Sequence, residues 1–471
     1  MTEIKFGTDG WRGIIADDFT FDNVRRVAGA GASYFLKNED ASRGVIVGYD
    51  TRFASDRAAR IVAQVLADAG IPVLLANADL PTPAISYSVK KLGAAGGVVI
   101  TSSHNPWSWN GVKLKGKFGG SATPAIMKII EDELRAGAMP KAASATIEEI
   151  DLKPEYVKAI CQFADLDLIR SANFKFAIDS MYGSGRGVLA GIFDTHGIQY
   201  VAIRQEHNPL FPGINPEPIL PHVAALQETV VQQKCHAGFA TDGDADRIGA
   251  VTEDGNFVDS HKCFAILLHW LLERKKWPGA VVRAFNTTSM LDRIAAKYGR
   301  TLIECSIGFK YIADLMMERE IMIGGEESGG IGFGRFLPER DGILNSLLLA
   351  NVMAEEGKPL GQLVADLQRE FGAHHFGRRD LHIADDIKNS AIRRAADART
   401  AKLGPYPVLR KENRDGVKFF LDAPKNGNGA DPWVLFRASG TEPLLRVYAE
   451  AASPQLVEEI LLASERFVQQ G

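Results

Sequence analysis

Cysteine is scarce in this chain: four residues, Cys161, Cys235, Cys263 and Cys305, are spread over 471 positions with no Cys-x-x-Cys pair. That spacing excludes a disulfide-stapled module and a cysteine zinc site, and reads as free or buried thiols in a reducing compartment. Long apolar runs are absent too. The most apolar stretch, 264–272, is nine residues long and contains His269, against about 20 for a membrane span. The N-terminal Met-Thr-Glu-Ile-Lys-Phe has neither the basic nor the apolar region of a secretory signal. Charge of one sign is also missing, with 54 Lys and Arg against 58 Asp and Glu for a net charge of −4. No basic surplus exists to neutralise a polynucleotide. Nucleic acid and membrane are not expected partners, and the expected location is cytoplasmic.

The 46% of hydrophobic residues and 24% of charged ones are an ordinary globular mix, and the length predicts about two to four domains. Short β-rich runs alternate with helix-period segments, which is the α/β signature. Strands are predicted at 45–49, 72–76 and 97–100, with helices at 56–69 and 84–92 between them. A polar stretch at 140–155 suits a linker. A second round places strands at 174–178, 199–203 and 237–240 and helices at 188–195 and 223–233. A third begins near Gly255, with a helix at 261–273 and strands at 281–285, 301–304 and 321–323. Beyond the stretch 371–379, a charged helix at 386–401, strands at 417–421, 433–437 and 445–450 and a final helix from Pro454 read as a smaller α+β domain. The βα rhythm recurs three times without a repeat in residue identity. The expected divisions are 1–148, 149–256, 257–372 and 373–471.

Ligands in open α/β sheets collect beyond the carboxyl ends of strands, and the polar motifs sit there. Thr101-Ser-Ser-His-Asn-Pro106 offers a serine beside a histidine, as a nucleophile or phosphate carrier, in otherwise ordinary turn composition; it lacks the Gly-x-Ser-x-Gly elbow of esterases. Asp242-Gly-Asp-Ala-Asp-Arg247 places three carboxylates at alternate positions, an oxygen-only set for magnesium or calcium. An EF-hand reading, with Glu253 at loop position 12, fails because Arg247 replaces the glycine at position 6 and strands flank the loop. Arg437-Ala-Ser-Gly-Thr-Glu-Pro443, with Arg446 beyond, is an anion cradle suited to a phosphate, but not a nucleotide P-loop. Gly325-Glu-Glu-Ser-Gly-Gly330 suits vicinal sugar hydroxyls or is a plain glycine loop. Gly183-Ser-Gly-Arg-Gly187 is left structural. Two cationic segments, Gly10-Trp-Arg12-Gly and Asn110-Gly-Val-Lys113, complete the set. Four loops around one shared cleft is the economical arrangement.

The order and spacing of these motifs resemble the α-D-phosphohexomutase superfamily, nearest its phosphoglucomutase/phosphomannomutase branch, along nearly the full length. The matching residues are Phe6-Gly-Thr-Asp-Gly-Trp-Arg12-Gly, 101–106, Asn110-Gly-Val-Lys113, Phe211-Pro-Gly-Ile-Asn-Pro216, 242–247, 325–329 and 437–443. The resemblance implies three related α/β domains with mixed sheets plus a smaller C-terminal α+β domain, around a central cleft. It implies a mutase that interconverts hexose 1-phosphate and hexose 6-phosphate through a phosphoserine at Ser103. Mg²⁺ would be held by Asp242, Asp244, Asp246 and a Ser103 phosphate oxygen, with glucose 1,6-bisphosphate as intermediate and activator. Arg12, Lys113 and Arg247 would balance the phosphate charge. Lys310, in Ile307-Gly-Phe-Lys310, would meet the phosphosugar, Glu326 and Ser328 the sugar, and Arg437, Ser439, Gly440 and Thr441 the distal phosphate.

Three positions depart from the family's pattern. Ser102 replaces the usual alanine, Trp109 a common tyrosine, and Gly330 a histidine found in many bacterial relatives. The acid–base choice stays open among Lys113, His104 and Lys310. Glu327, which is Gln in phosphoglucosamine mutases, favours glucose phosphate, with mannose phosphate as a second substrate. Phosphoglucosamine mutase, hexose-bisphosphate synthase and a non-catalytic sugar-phosphate-binding protein are the alternatives. Small hexose phosphates are the expected partners of a monomer or homodimer.

Overall fold

The computed structural model describes residues 4–7, 9–141, 144–425, 427–439 and 443–469. Runs such as Val45–Tyr49, Gly96–Ile100 and Ala237–Thr241 are buried along almost their whole length, as central strands covered on both faces must be. In the first sheet, Val45–Tyr49 lies between Val73–Ala76 and Gly96–Ile100, all parallel, and Ile147–Ile150 extends the parallel set. On the other side Trp109–Gly116 turns back antiparallel, followed by Gly10–Ile14 and Phe6–Gly7. The second sheet repeats the plan: Gln199–Ile203, Lys175–Asp179 and Ala237–Thr241 run parallel, and Ile248–Thr252 turns back to pair with Phe257–Val258. The third does so with Leu302–Cys305, Ala280–Ala284 and Ile321–Gly325, then Ile331–Phe333.

In all three sheets a buried parallel strand is followed directly by its antiparallel partner. The link between the two is where a polar motif sits, at 101–108, 242–247 and 326–330. The βα rhythm of the sequence is therefore a structural repeat. The fourth sheet is antiparallel throughout, running from His375–His382 through Leu444–Ala451, Trp433–Ala438, Val417–Leu421 and Tyr406–Glu412 to Lys402–Leu403. Helices Asp385–Ala396 and Pro454–Gln469 pack on it. This is the expected architecture of three mixed α/β units and an α+β unit.

Two stretches to which the sequence pattern assigns no element contain strands. The polar stretch at 140–155 holds Ile147–Ile150, a largely exposed edge strand that needs no apolar alternation, and then the start of the helix Lys153–Cys161. The stretch at 371–379 runs into His375–His382, whose Arg378 and Arg379 are satisfied by Asp380 and Glu458. The divisions expected after 148 and 256 fall inside Ile147–Ile150 and just before Phe257–Val258, and both strands pair with the preceding sheet. Buried polar pairs join the domains: Tyr156 donates to Asp341 at 2.9 Å, and Lys115 and Ser86 reach Glu339. Phe285, Trp433 and Tyr448 form an aromatic seam between the third and fourth domains. Among the described residues, no helix is long and apolar enough to cross a membrane.

Candidate active site

The fully buried strand Gly96–Ile100 delivers the chain to Thr101. The Thr101 hydroxyl donates to Asp50 Oδ2 at 2.5 Å and accepts the Ser103 N–H at 2.9 Å. Ser103 stands at φ +52°, a left-handed conformation that a β-carbon disfavours by about 1–3 kcal/mol and that clusters at functional loops. Its Oγ donates to Asp242 Oδ2 at 2.7 Å and lies 3.4 Å from His104 Nδ1. The buried Oγ of Ser102 has no hydrogen-bond partner among the described residues. The structure brings Ser103, rather than Ser102, onto the aspartate loop.

Asp242, Asp244 and Asp246 are completely buried, and one oxygen from each lies within 4.8 Å of the others. The backbone N–H groups of Asp246 and Arg247 donate to Asp242 Oδ1 at 3.0 and 3.1 Å. Thr82 Oγ1 and Lys113 Nζ donate to Asp244 Oδ2 at 2.7 and 2.8 Å. Thr82 opens the helix Thr82–Leu92 and also donates its N–H to the Asp244 carbonyl, so a positive helix end faces this carboxylate. The second oxygens, Asp244 Oδ1 and Asp246 Oδ1, are buried and make no hydrogen bond among the described residues, although Arg247 Nε lies 3.7 Å from Asp246 Oδ1. Leaving such oxygens unpaired is unfavourable. The three carboxylates form an all-oxygen set that fits a hard divalent cation.

Electrostatics follows from burial and from Lys113. Burial, reinforced by Asp244 and Asp246, holds the Asp242 carboxyl well above its ordinary range. Burial also opposes ionisation of Asp244, but the Lys113 ammonium outweighs it and holds this carboxyl low. Lys113 in turn stays protonated against burial because Asp244, Asp9 and Asp246 surround it.

Arg340 is a part of the site that sequence reasoning missed. Its guanidinium lies 2.9 Å from Asp9, 2.5 Å from Asp246 and 3.2 Å from Glu326, one carboxylate from each α/β domain. The available signal was Glu339-Arg340-Asp341, three charges in a row opening the apolar helix Gly342–Glu356, and all three are buried. Burial holds the Glu326 carboxyl above its usual range despite Arg340 and Arg247. Gly330 faces the same arginine: a Cβ there would fall 2.9 Å from Arg340 Cγ. Glu327, half-buried, accepts from Asn286 Nδ2 at 3.3 Å and lies 3.6 Å from Arg378 of the fourth domain. Ser328 is half-buried on the same loop.

Arg12 donates to Asn105 Oδ1 at 2.5 Å, and Arg247 Nε lies 3.7 Å from both Asp242 and Asp246. Burial, and then Arg247, Arg12, Arg378 and Arg52, hold His104 well below the usual imidazole range, so it is neutral. Lys310 lies in the first turn of the helix Phe309–Glu318, its Nζ 5.2 Å from the Tyr311 ring centroid. Arg437 Nε donates to Asp415 at 3.2 Å. The Ser439 N–H donates to Leu444 O at 2.8 Å. Gly440 and Thr441 lie outside the described residues. The fold therefore gathers Ser103, His104, Arg12, Lys113, Arg247, Glu326 and the aspartates. Among the described residues, no hydrogen bond or ion pair joins Lys310, Ser328, Arg437 or Ser439 to the aspartate loop. The segment 183–187 packs beneath that loop, with the Ser184 N–H donating to Gly243 O at 2.9 Å.

Models of phosphoglucomutase/phosphomannomutase domains match the chain in order: α/β/α domain I over residues 3–141, II over 154–255, III over 259–371 and the C-terminal domain over 406–464. The chain is 30% identical over 460 residues to a phosphoglucomutase/phosphomannomutase of Thermococcus kodakarensis, covering 97% of this chain and 96% of that protein. It is 31% identical over 461 residues to a phosphoglucosamine mutase of Leuconostoc mesenteroides, covering 96% and 95%. The crystal structure of a provisionally named phosphomannomutase from Thermus thermophilus superposes with a TM-score of 0.87 at 35% identity, over 99% of both chains. Domain matches in this order, on a fold that superposes end to end, place the chain in the phosphoglucomutase/phosphomannomutase family of the α-D-phosphohexomutase superfamily, as an enzyme of the mutase class.

Proposed function

We propose that this enzyme interconverts hexose 1-phosphate and hexose 6-phosphate through a phosphoserine at Ser103 and a hexose 1,6-bisphosphate, with glucose phosphate preferred and mannose phosphate accepted. The supporting observation is the 2.7 Å approach of Ser103 Oγ to Asp242, in a loop where Asp244 Oδ1 and Asp246 Oδ1 are buried without a hydrogen bond among the described residues. In the working cycle Ser103 begins as its phosphate ester. The free sugar hydroxyl attacks phosphorus in line, the P–Oγ bond breaks and its electron pair stays on Oγ. The hydroxyl proton ends on Oγ, leaving serine and the bisphosphate. The bisphosphate then turns over in the cleft. Ser103 Oγ attacks its other phosphorus, and the same exchange in reverse restores phosphoserine and frees the product.

Such a transfer relies on positioning and charge. A phosphoserine brings about −1.5 to −2 charge, which Arg12, Lys113 and Arg247 would balance. Asp242, Asp244, Asp246 and the Ser103 phosphate would hold Mg²⁺, which supplies charge neutralisation at the phosphoryl group. Lys113, kept protonated by three carboxylates, serves as fixed charge. Neutral His104, 3.4 Å from Oγ, is the better placed group to move the proton. Glu326 and Ser328 would meet the sugar hydroxyls, and Lys310, Arg437, Ser439, Gly440 and Thr441 the phosphosugar and its distal phosphate. The enzyme is expected in the cytoplasm as a monomer or homodimer.

A second reading, phosphoglucosamine mutase, is favoured by the name of the Leuconostoc relative. Initial rates with Mg²⁺ and a trace of glucose 1,6-bisphosphate, on the 1-phosphates of glucose, mannose, glucosamine and N-acetylglucosamine, decide between them. Dominant turnover of glucose 1-phosphate, lost in EDTA, is expected. Preference for glucosamine 1-phosphate would move the substrate assignment to the second reading, and no turnover of any would refute the mutase assignment.

A further inference from the structure

The turn Asp50-Thr-Arg52, which follows the strand Val45–Tyr49, lies beneath the serine loop and grips it from two sides. Arg52 is buried. Its Nη1 donates to the carbonyls of Pro106 and Trp109 at 2.9 and 3.0 Å, and its Nη2 to those of Ser103 and Asn105 at 2.6 Å each. All four terminal N–H bonds of one guanidinium therefore end on one loop, while Nε lies 3.3 Å from Asp50 Oδ2. Asp50 also takes the Thr101 hydroxyl, which in turn holds the Ser103 N–H. Ser103 is thus fixed at its N–H through Asp50 and at its carbonyl through Arg52, with only Oγ left to reach Asp242.

The second domain closes this grip. The Arg52 guanidinium lies 5.0 Å from the centroid of Phe211, a buried ring at the start of the 211–216 motif that the catalytic reading leaves without a role. Pro216, at the end of that motif, accepts the Gly243 N–H at 3.1 Å. A Cβ at Gly243 would collide with the Ser103 carbonyl oxygen. The Ser103 carbonyl therefore sits between Arg52 and the backbone of the aspartate loop, with the 211–216 segment backing both.

We propose that Arg52 and Phe211 are positioning residues that lock the serine loop in register with the aspartate loop; the proposal rests on Ser103 being the phosphoryl carrier. The left-handed φ of Ser103 is offset by charge-assisted hydrogen bonds to the loop's carbonyls. Without them the loop relaxes toward ordinary backbone and Oγ swings off the Asp242 line. A lysine keeps the charge, but its point-like ammonium cannot serve four carbonyls held in a planar fork's geometry. Arg52→Lys therefore separates fork from charge.

The experiment uses the full chain with Mg²⁺, glucose 1,6-bisphosphate and glucose 1-phosphate, and compares wild type with Arg52→Lys and Phe211→Leu. A misplacement near 1 Å predicts a kcat loss of about 100-fold for Arg52→Lys, with KM nearly unchanged because the distal phosphate is held elsewhere. Loss of the ring face predicts a loss of about tenfold for Phe211→Leu. Amide hydrogen exchange should quicken in segment 101–111 of both variants and stay unchanged in the fourth sheet. Wild-type kcat in Arg52→Lys, or faster exchange throughout the first domain with none specific to the loop, would overturn the proposal. If the wild type turns over no hexose phosphate while the loop's exchange still responds to Arg52→Lys, the catalytic reading falls and the clamp stands.

Discussion

A single β-carbon at Gly330 tests the charged centre. Built there, it would fall 2.9 Å from Arg340 Cγ, closer still to Cδ, and 3.2 Å from Glu326 Oε2. Arg340 is anchored at its far end by Asp9, Asp246 and Glu326, so its stem cannot step aside alone. If the anchors hold, Gly330→Ala is overpacking, a loss of about 1–3 kcal/mol. If they release, buried carboxylates lose their partner and the loss rises to about 3–5 kcal/mol. Because Arg340 holds Asp246 Oδ2, displacement also disturbs the aspartate loop, and kcat should fall by about 100-fold. Gly330→His, which adds a larger side chain at the same point, should lie at the upper end of both ranges. Urea unfolding and steady-state rates supply the numbers, and a mutant cycle supplies the cause. In an Arg340→Ala background the obstructing stem is gone, so Gly330→Ala should add less than about 0.5 kcal/mol. A Gly330→Ala variant with wild-type stability and rate, or one equally damaging with and without Arg340, would refute this reasoning.

Ser103→Ala should abolish turnover while calorimetry still registers hexose phosphate binding; retained turnover would remove Ser103 as the phosphoryl carrier. Millimolar Mg²⁺ should raise the Tm, by an amount worth about 2.7 kcal/mol at 100 times its Kd. The same response in Asp244→Asn would count against the aspartate loop as the cation site. Burial pushes the Asp341 carboxyl up to about 7, against the Leu344 N–H and the Tyr156 hydroxyl that favour its anion. The folded chain then keeps a proton that the unfolded chain releases near pH 4, so this group's contribution is intact below about pH 4 and lost as pH rises to about 7. Asp341→Asn should stabilise the protein by up to about 4 kcal/mol at pH 8 and hardly at all at pH 4. Equal gains at both pH values would be inconsistent with titration of Asp341.

The central strands were readable because burial on both faces leaves a plain apolar run: Val45–Tyr49 lies where the pattern placed it, and Gly96–Ile100 and Ala237–Thr241 within one residue of it. Strands of mixed character were not. Gly10–Ile14 and Trp109–Gly116 are glycine-broken and carry the buried or half-buried Arg12, Lys113 and Lys115. His375–His382 holds three consecutive charges that only its tertiary ion pairs make tolerable. The site divides in the same way. Ser103 and the three aspartates advertise themselves by short-range spacing. Arg340 meets Asp9 across 331 positions, and Arg52 meets the Ser103 carbonyl across 51, so neither leaves a local pattern.

The three α/β domains each present one polar motif at the same strand-to-strand link, the Ser103 loop, the aspartate loop and the Glu326 loop, which the proposed function reads as nucleophile, cation site and sugar loop. On that proposed function no domain carries a complete reaction, so a partly synthesised chain should be chemically silent until its third domain has docked. The seams act as an interlock. A domain folded correctly but seated slightly askew across Tyr156–Asp341 or Lys115–Glu339 would give a stable molecule with its reagents out of step. Damage at those seams should therefore appear as activity lost before any loss of folded structure.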